Sequence, residues 1–132
     1  GSYIATQVIK LIKEKSPNIV KPNILVMGFT FKEDCPDIRN TGVISLFQEL
    51  TRLNNNIDIY DPWADKKEVF DQYGVQLLDS PIKGKYDAII LAVAHNEFKK
   101  IPVNLIRSFG KTAHIIYDVK YILKNDEVDG RL

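Results

Sequence analysis

The loop GFTFKEDCPDIRNT, residues 28–41, separates two apolar patterns of different period. The run before it, Ile24 to Met27, is short and continuous, which is typical of a buried strand. After it, apolar residues from Val43 to Leu53 recur at helical spacing and predict a helix, with Asn40 or Thr41 as candidate N-cap. A buried strand, a polar loop and a helix form the repeating unit of a parallel α/β sheet.

The same alternation continues along the rest of the chain. Further strands are predicted at residues 57–60, 75–78, 88–92 and 115–117, and further helices at 3–15, 65–73 and 96–109. Gly74 is expected to close the second of those helices, and Pro102 to interrupt or restart the third. The polar tail from Leu123 is expected to fray. Nearly continuous apolar strands favour a mostly parallel sheet of five or six strands with helices on both faces.

Composition limits the classes of function. The 132 residues are 45% hydrophobic and 27% charged, with a net charge of +1, which is typical of one globular domain. Without a basic block, neither nucleic acid nor a membrane surface is expected as a partner. The longest apolar run, Ala88 to Ala94, is too short to cross a bilayer, and residues 3–15 do not resemble a signal peptide. The single cysteine, Cys35, excludes an internal disulfide and a Cys-based zinc site, and we expect a cytoplasmic protein.

The loop after the first strand carries the residues best suited to bind an anion. Ligands of parallel sheets bind beyond the carboxyl ends of the strands, where the loops from Gly28, Asp61, Ala94 and Asp118 begin. Lys32 can act as a point charge for phosphate, Arg39 can form forked hydrogen bonds, and the next helix N-terminus favours negative charge. Three acids in the same loop leave a second interpretation equally open, in which the loop is solvated and its charges pair locally.

This loop lacks the three glycines of a dinucleotide fingerprint, because only Gly28 is present. Asp61-Pro62 follows the second strand, where a ribose-binding acid would lie in such a fold. Without the glycines, we favour a strand terminator at Asp61. His95 could face the cleft, but we favour a histidine at a helix start with a local hydrogen bond.

Four motifs together resemble a known family. They are the loop GFTFKEDCPDIRNT, YDPW at 60–63, AVAHNEF at 92–98 and YDVKYIL at 117–123, and they cover nearly the whole chain. The chain resembles the C-terminal, UDP-binding domain of the UDP-glucose/GDP-mannose dehydrogenase family. The details look closest to the branch that acts on UDP-N-acetylhexosamines, including the UDP-N-acetylglucosamine 6-dehydrogenases of the Vi-polysaccharide type.

The resemblance implies a parent enzyme that oxidises the C6 alcohol of a UDP-hexose or UDP-N-acetylhexosamine to the carboxylate, using NAD, for surface-polysaccharide biosynthesis. In that family the N-terminal domain binds NAD and supplies a cysteine nucleophile, and a connector helix forms much of a homodimer interface. Residues 1–20 then correspond to the end of the connector, with Gly1-Ser2 as a cloning remnant, and residues 21–132 to the UDP-sugar-binding domain. A Rossmann-like three-layer α/β sandwich is the expected fold.

The resemblance also assigns roles to individual residues. Phe31 and Lys32 match positions that contact the UDP-sugar, and Arg39 matches an arginine that reaches NAD. Lys120 matches a basic position after the last strand that touches substrate in some relatives, and the family often has arginine there.

No catalytic residue and no metal ligand is expected within this chain. Cys35 does not match the family's nucleophile, and the acids beside it disfavour a thiolate. Trp63 and Phe98 are expected to pack. The chain alone is therefore predicted to be inactive, with its own N-terminal domain as a partner. A stand-alone nucleotide-binding module and a dimerisation module are the alternatives.

Overall fold

A computed structural model describes all residues, 1–132, as a five-stranded parallel sheet between two layers of helices. The strands are β1 (Asn23–Met27), β2 (Asn56–Tyr60), β3 (Tyr86–Leu91), β4 (Gly110–Asp118) and β5 (Gly130–Arg131). They lie in the order β2-β1-β3-β4-β5, and every pair is parallel. The α/β class and the parallel sheet predicted from the sequence are confirmed.

The helices divide between the two faces of the sheet. They are α1 (Ser2–Lys15), α2 (Val43–Arg52), α3 (Lys66–Tyr73), α4 (Asn96–Lys99) and α5 (Val103–Ser108), followed by a short 3₁₀ turn at Asn125–Glu127. Buried side chains of α1, α2 and α3 join one core cluster, and those of α4 and α5 join the other. No helix has both the length and the apolar character needed to cross a membrane.

Alternation along the strands explains the two cores. In β1, Ile24 and Val26 face the α1–α2 side, whereas Leu25 and Met27 face the α4–α5 side. All four are fully buried, because a central parallel strand is covered on both faces. The continuous apolar runs seen in the sequence are the direct consequence of this double burial.

The strand order places a topological switch point between β1 and β3. The chain leaves β1 toward β2 on one side, then returns to add β3 and β4 on the other. Loops that leave the carboxyl ends of β1 and β3 therefore diverge and open a crevice, the usual ligand position in such sheets.

Gly28 allows the chain to turn sharply at this point. Its φ is +108°, and a Cβ there would lie 2.6 Å from Cβ and 2.8 Å from the backbone nitrogen of Val93. A residue with a side chain would meet both a backbone strain and a steric clash. The close approach of the loops after β1 and β3 thus depends on a glycine at position 28.

One predicted strand is almost absent. Residues 75–78 make a single bridge, Leu78 to Tyr60, instead of a strand, although Val75 and Leu77 are buried as expected. Only one ladder bond forms, from Leu78 N–H to the Ile59 carbonyl, before the chain turns away toward Pro81. The prediction recognised burial correctly but overestimated pairing at the sheet edge.

The helix boundaries follow local signals. Asp65 caps α3 by accepting from Glu68 N–H, and Gly74, at φ +71°, closes it. The N-cap of α2 is Gly42, not Asn40 or Thr41 as predicted, although the Thr41 hydroxyl accepts from Val43 N–H at 3.1 Å. The predicted break is present: α4 ends at Lys99, and Pro102 is the N-cap of α5, where its missing N–H costs no helical hydrogen bond.

The prediction that the tail frays was wrong. β4 begins five residues earlier than predicted, and Gly130 and Arg131 pair with its end at Tyr117 and Asp118. Tyr121 adds a hydrogen bond from its hydroxyl to the Leu132 carbonyl, 2.5 Å away. Because Gly130-Arg131 is too short to show an apolar period, no pattern in the sequence predicts this strand.

Candidate functional site

A cleft of about 200 Å³ opens at the switch point of the sheet. It is bounded by α1, by the N-terminus of α2 and by the loops after β1, β3 and β4. Its lining is mostly apolar and consists of Gly1, Ile4, Thr30, Phe31, Gly42, Val43, Leu46, Ala92, Val93, Val119 and Lys120. One cation in an apolar cleft beside a helix N-terminus suits a ligand that carries both negative charge and apolar surface.

Two of the four predicted site residues meet in this cleft. Phe31, from the loop after β1, is 55% exposed, an unusual state for a large apolar side chain. Lys120, from the loop after β4, is the only charged side chain in the lining. Lys32 follows Phe31 and is exposed, but it does not line the cleft.

Arg39, the fourth predicted residue, lies outside the cleft lining and is paired within its own loop. Its Nε and Nη2 each donate to a carboxylate oxygen of Asp37 at 3.0 Å, while 78% of the arginine side chain stays exposed. Hydrogen bonds from the Arg39 side chain and backbone lower the pKa of Asp37 to about 2. The sequence left open whether the charges of this loop pair with one another. Arg39 and Asp37 do so in the structure.

The N-terminus of α2 is fixed against the start of the same loop. The Thr41 hydroxyl donates to the Phe29 carbonyl at 2.5 Å and accepts from Val43 N–H. Gly42 and Val43 follow and line the cleft. The positive end of this ten-residue helix consequently borders the space that Phe31 and Lys120 share.

Asp61 does more than end β2. One of its carboxylate oxygens accepts from the backbone N–H groups of Phe29 and Thr30, at 2.6 and 3.0 Å, and the other from Trp63 N–H at 2.7 Å. Burial raises the pKa of Asp61, but hydrogen bonds from His95 and these backbone groups more than offset it, so that the net pKa is lowered. Asp61 therefore remains a buried carboxylate held by several donors.

His95 departs from the predicted local hydrogen bond. Although it directly precedes α4, its ring is fully buried and bonds to two distant segments. Nε2 lies 3.0 Å from an Asp61 oxygen and 3.3 Å from the Thr30 hydroxyl, and Nδ1 accepts from Asp34 N–H at 3.0 Å. The prediction was wrong because β2 and β3 flank β1, so that residues beyond their ends meet over the loop that leaves β1.

Aromatic residues enclose the histidine, as the packing roles predicted for Trp63 and Phe98 require. The Trp63 ring stacks on His95 at 6.0 Å between centroids, and Phe98 approaches edge-on at 5.2 Å. The Trp63 indole N–H donates to Glu97 at 2.9 Å, which fixes the stacked ring. Cys35, which follows Asp34 in the chain, is half-buried and has a free thiol.

The loop that carries Lys120 is stabilised by hydrogen bonds to the Asp118 side chain. This buried carboxylate accepts from Lys120 N–H at 3.2 Å and from Leu123 N–H at 2.8 Å. Next to it, Tyr121 adopts a φ of +58°, and the Arg131 guanidinium stacks 3.8 Å from the centre of its ring. The tail strand β5 thus supports the loop that carries the cleft's lysine.

Sequence reasoning missed several cleft residues. Thr30, Ala92, Val93 and Val119 are small residues just beyond strand ends, and only the position of each strand end could have pointed to them. The Asp61–His95 pair was missed because it depends on strand order rather than on spacing along the chain.

Comparison with protein families gives a match over residues 25–125 to the UDP-glucose/GDP-mannose dehydrogenase family, UDP binding domain. The matched range includes β2, β3, β4 and residues 25–27 of β1, and it ends before β5. It also contains Phe31, Lys32, Arg39 and Lys120.

Curated relatives resemble the chain over its full length. It is 42% identical to UDP-N-acetyl-D-glucosamine 6-dehydrogenase of Pseudomonas aeruginosa and 44% identical to the enzyme of the same name from Salmonella typhi, over 132 residues in each case. Both alignments cover 100% of this chain but only 31% of the relative. The chain therefore spans about a third of the length of these relatives.

Solved structures share the fold at low sequence identity. UDP-D-ManNAc dehydrogenase from Pyrococcus horikoshii superposes with a TM-score of 0.76 at 23% identity, over 98% of this chain and 30% of that one. NDP-N-acetyl-D-galactosaminuronic acid dehydrogenase from Methanosarcina mazei Go1 gives 0.78 at 18% identity, over 96% and 26%. The architecture is thus one that recurs as a part of larger dehydrogenase chains.

Proposed function

Because the chain belongs to the UDP-glucose/GDP-mannose dehydrogenase family and is its UDP-binding domain, we propose that the cleft between Phe31 and Lys120 holds the UDP part of a UDP-sugar. The parent enzyme in this proposal is an NAD-dependent 6-dehydrogenase that converts the C6 alcohol of a UDP-hexose or UDP-N-acetylhexosamine to the carboxylate. UDP-N-acetylglucosamine is the favoured substrate, since the relatives that cover the whole chain at over 40% identity carry that name.

The observation that carries the proposal is the meeting of a cation, an aromatic face and a helix N-terminus in one apolar cleft. The Lys120 ammonium is suited to neutralise one charge of the diphosphate. The helix N-terminus at Gly42 and Val43 favours the same negative charge. The exposed Phe31 ring offers apolar surface to the uncharged parts of the ligand, and the exposed Lys32, next in the chain, is the second cation of the proposal.

The chain does not offer a dinucleotide site of its own. Phe29 is fully buried directly after the turn, where a glycine-rich loop would need open backbone to approach a pyrophosphate. NAD, which supplies the hydride acceptor, is therefore assigned mainly to the rest of the parent enzyme. Arg39 is the contribution proposed for this chain, and its guanidinium must then share or exchange its partner Asp37.

This division of labour leaves the oxidation chemistry outside the chain. Covalent catalysis needs the nucleophile, the cofactor and the sugar in one geometry, and the chain supplies only part of the binding site. In the proposal, α1 is the end of a connector helix that leads to the other half and to a homodimer interface, and residues 21–132 are the substrate domain. The enzyme acts in the cytoplasm in surface-polysaccharide biosynthesis.

Steady-state kinetics of the complete enzyme test the proposal. Lys32→Ala and Lys120→Ala are expected to raise KM for the UDP-sugar with a smaller effect on kcat, and Arg39→Ala to disturb NAD-dependent turnover. Lys99→Ala, an exposed lysine on α4 outside the cleft, is the matched control. Unchanged KM in both lysine variants would overturn the assignment of this cleft.

A further inference from the structure

We propose that His95 is a positioning residue for UDP-sugar binding, which holds the loop of residues 28–41 so that Phe31 lines the cleft and Lys32 lies next to it in the chain. The inference rests on the proposed function. It concerns a side chain that does not line the cleft, and it starts from the fact that one imidazole ring joins three separate segments of the chain.

The hydrogen bonds of His95 select one chemical form of the ring. Nδ1 faces the backbone N–H of Asp34 at 3.0 Å, so this nitrogen must be the acceptor and carry no proton. The ring proton then lies on Nε2, which faces the Asp61 carboxylate at 3.0 Å. A neutral imidazole with its proton on Nε2 satisfies both contacts at once.

The two contacts fix the loop at two points. Asp61 accepts from the N–H groups of Phe29 and Thr30, at the beginning of the loop, and His95 completes the carboxylate's set of donors. At the second point, Asp34 gives its N–H to His95 and accepts from Asn96 N–H through its carboxylate at 2.8 Å. Asp34 adopts the left-handed conformation, with φ +54°, so these two bonds offset a local strain.

Phe31, Lys32 and Glu33 lie between these points. The hydrogen bonds within this stretch come from the loop itself, from Phe31 N–H to the Asp37 carbonyl and from the Thr30 hydroxyl to the Lys32 carbonyl. Because three residues span the two fixed points, the backbone positions of Phe31 and Lys32 follow from where Thr30 and Asp34 are held. Release of the second point frees the loop tip while leaving the sheet intact.

Two substitutions separate the two contacts. The amide of His95→Gln reaches the place of Nε2, where its NH₂ can donate to Asp61, but it leaves Asp34 N–H without an acceptor. The amide oxygen of His95→Asn reaches the place of Nδ1, where it can accept from Asp34, but it leaves Asp61 without its side-chain donor. Loss of a donor from a buried carboxylate is the more costly of the two for folding.

The proposal therefore predicts that the two variants rank in opposite order by melting temperature and by UDP affinity. His95→Gln is expected to melt close to the unsubstituted protein, yet to show faster amide hydrogen exchange at residues 31–34 and UDP affinity about tenfold weaker. His95→Asn is expected to melt at a lower temperature, yet to keep Asp34 protected and most of the UDP affinity. If His95 acted only in folding, the variant with the lower melting temperature would also have the weaker UDP affinity.

Three measurements on the 132-residue chain make the test: thermal melting, hydrogen exchange followed by NMR, and UDP titration. Ile106→Ala, in α5 on the other face of the sheet, controls for general destabilisation and is expected to leave exchange at Asp34 and UDP affinity unchanged at temperatures well below its melting point. Asp34 protection in His95→Gln equal to that of the unsubstituted chain, or UDP affinities that follow melting temperature, would overturn the inference.

The exchange measurement does not depend on the ligand. If the unsubstituted chain does not bind UDP, the claim that this chain carries a UDP site of its own fails, and the binding role of His95 fails with it. Hydrogen exchange at residues 31–34 would still decide whether the ring holds the loop, so the two failures remain distinguishable.

Discussion

Phe31 and Lys120 line the same cleft although they belong to loops near opposite ends of the chain. Their loops leave β1 and β4, with β3 between them, and the carboxyl ends of all three strands lie at one edge of the sheet. A parallel sheet brings such residues together without any sequence spacing that would reveal it. The shared position of these two side chains in one cleft is the structural basis of the proposed UDP half-site.

Gly28→Ala is expected to destabilise the fold by about 3 kcal/mol or more, because a Cβ at position 28 would overlap Val93 and the backbone has a positive φ. Gly84→Ala is the matched control, since Gly84 also has a positive φ, +68°, but open space around a Cβ. We expect it to cost about 1 kcal/mol from backbone strain alone. Urea unfolding of both variants makes the comparison, and equal losses would contradict the close contact with Val93.

Asp61→Asn is expected to lower the free energy of unfolding at neutral pH by about 2 kcal/mol or more, because a buried acceptor of several hydrogen bonds loses its charge. The pKa of Asp61 is lowered in the folded state, so its contribution is present above the ordinary aspartate pKa and is lost as pH falls through the lowered value. The difference in free energy of unfolding between Asp61→Asn and the unsubstituted protein should therefore become smaller at acidic pH.

Asp65→Asn provides the control for this prediction. Asp65 caps α3, and asparagine caps a helix about as well as aspartate, so we expect a change within about 0.5 kcal/mol. Urea unfolding across a pH series gives both profiles. A gap for Asp61→Asn that stays constant from neutral to acidic pH would show that the carboxylate charge is not the source of the stabilisation.

Asp37 is expected to titrate with a midpoint of about 2, because hydrogen bonds from Arg39 stabilise its carboxylate. The ion pair then persists at all pH values well above 2 and is lost as pH falls through that value. In Arg39→Gln the pKa of Asp37 should rise toward its ordinary value, whereas Arg52→Gln, which removes the partner of Glu49, should leave it unchanged. NMR titration of the carboxyl carbon measures this, and the same midpoint in all three proteins would contradict the pairing.

Removal of residues 130–132 is expected to loosen the loop that carries Lys120. The truncation deletes β5, the stack of Arg131 on Tyr121 and the bond from Leu132 N–H to the Asp118 carbonyl. We expect amide exchange at residues 118–121 to accelerate by about tenfold or more and UDP affinity to fall. Arg52→Ala, which removes an exposed arginine paired with Glu49 on α2, is the control. Unchanged exchange at 118–121 would show that the tail does not support the loop.

The parts of the fold predicted correctly are those with a local signal. Buried strands β1 and β3, the stop at Gly74 and the break near Pro102 each follow from residues within a few positions. The pairing of β5 and the near absence of a strand at 75–78 depend on how these segments meet the two edges of the sheet. No local sequence pattern predicts this.

The site shows the same division. Phe31 and Lys120 came from a family resemblance and lie in one cleft, whereas the Asp61–His95 contact came from neither spacing nor resemblance. From the sequence, Asp61 was interpreted as the end of a strand and His95 as the start of a helix. In the structure the two form one buried hydrogen-bonded pair. Tertiary order, here the position of β1 between β2 and β3, converts separate local features into one support for the loop.

NMR titration of the chain with UDP, with AMP as the control, tests the central claim most directly. The account predicts saturable shifts with UDP at Thr30, Phe31 and Lys120, much smaller shifts with AMP, and weaker UDP binding in Lys120→Ala. Equal shifts with AMP would mean generic phosphate binding. An absence of shifts at these residues with UDP would contradict the claim that this chain carries a UDP site of its own.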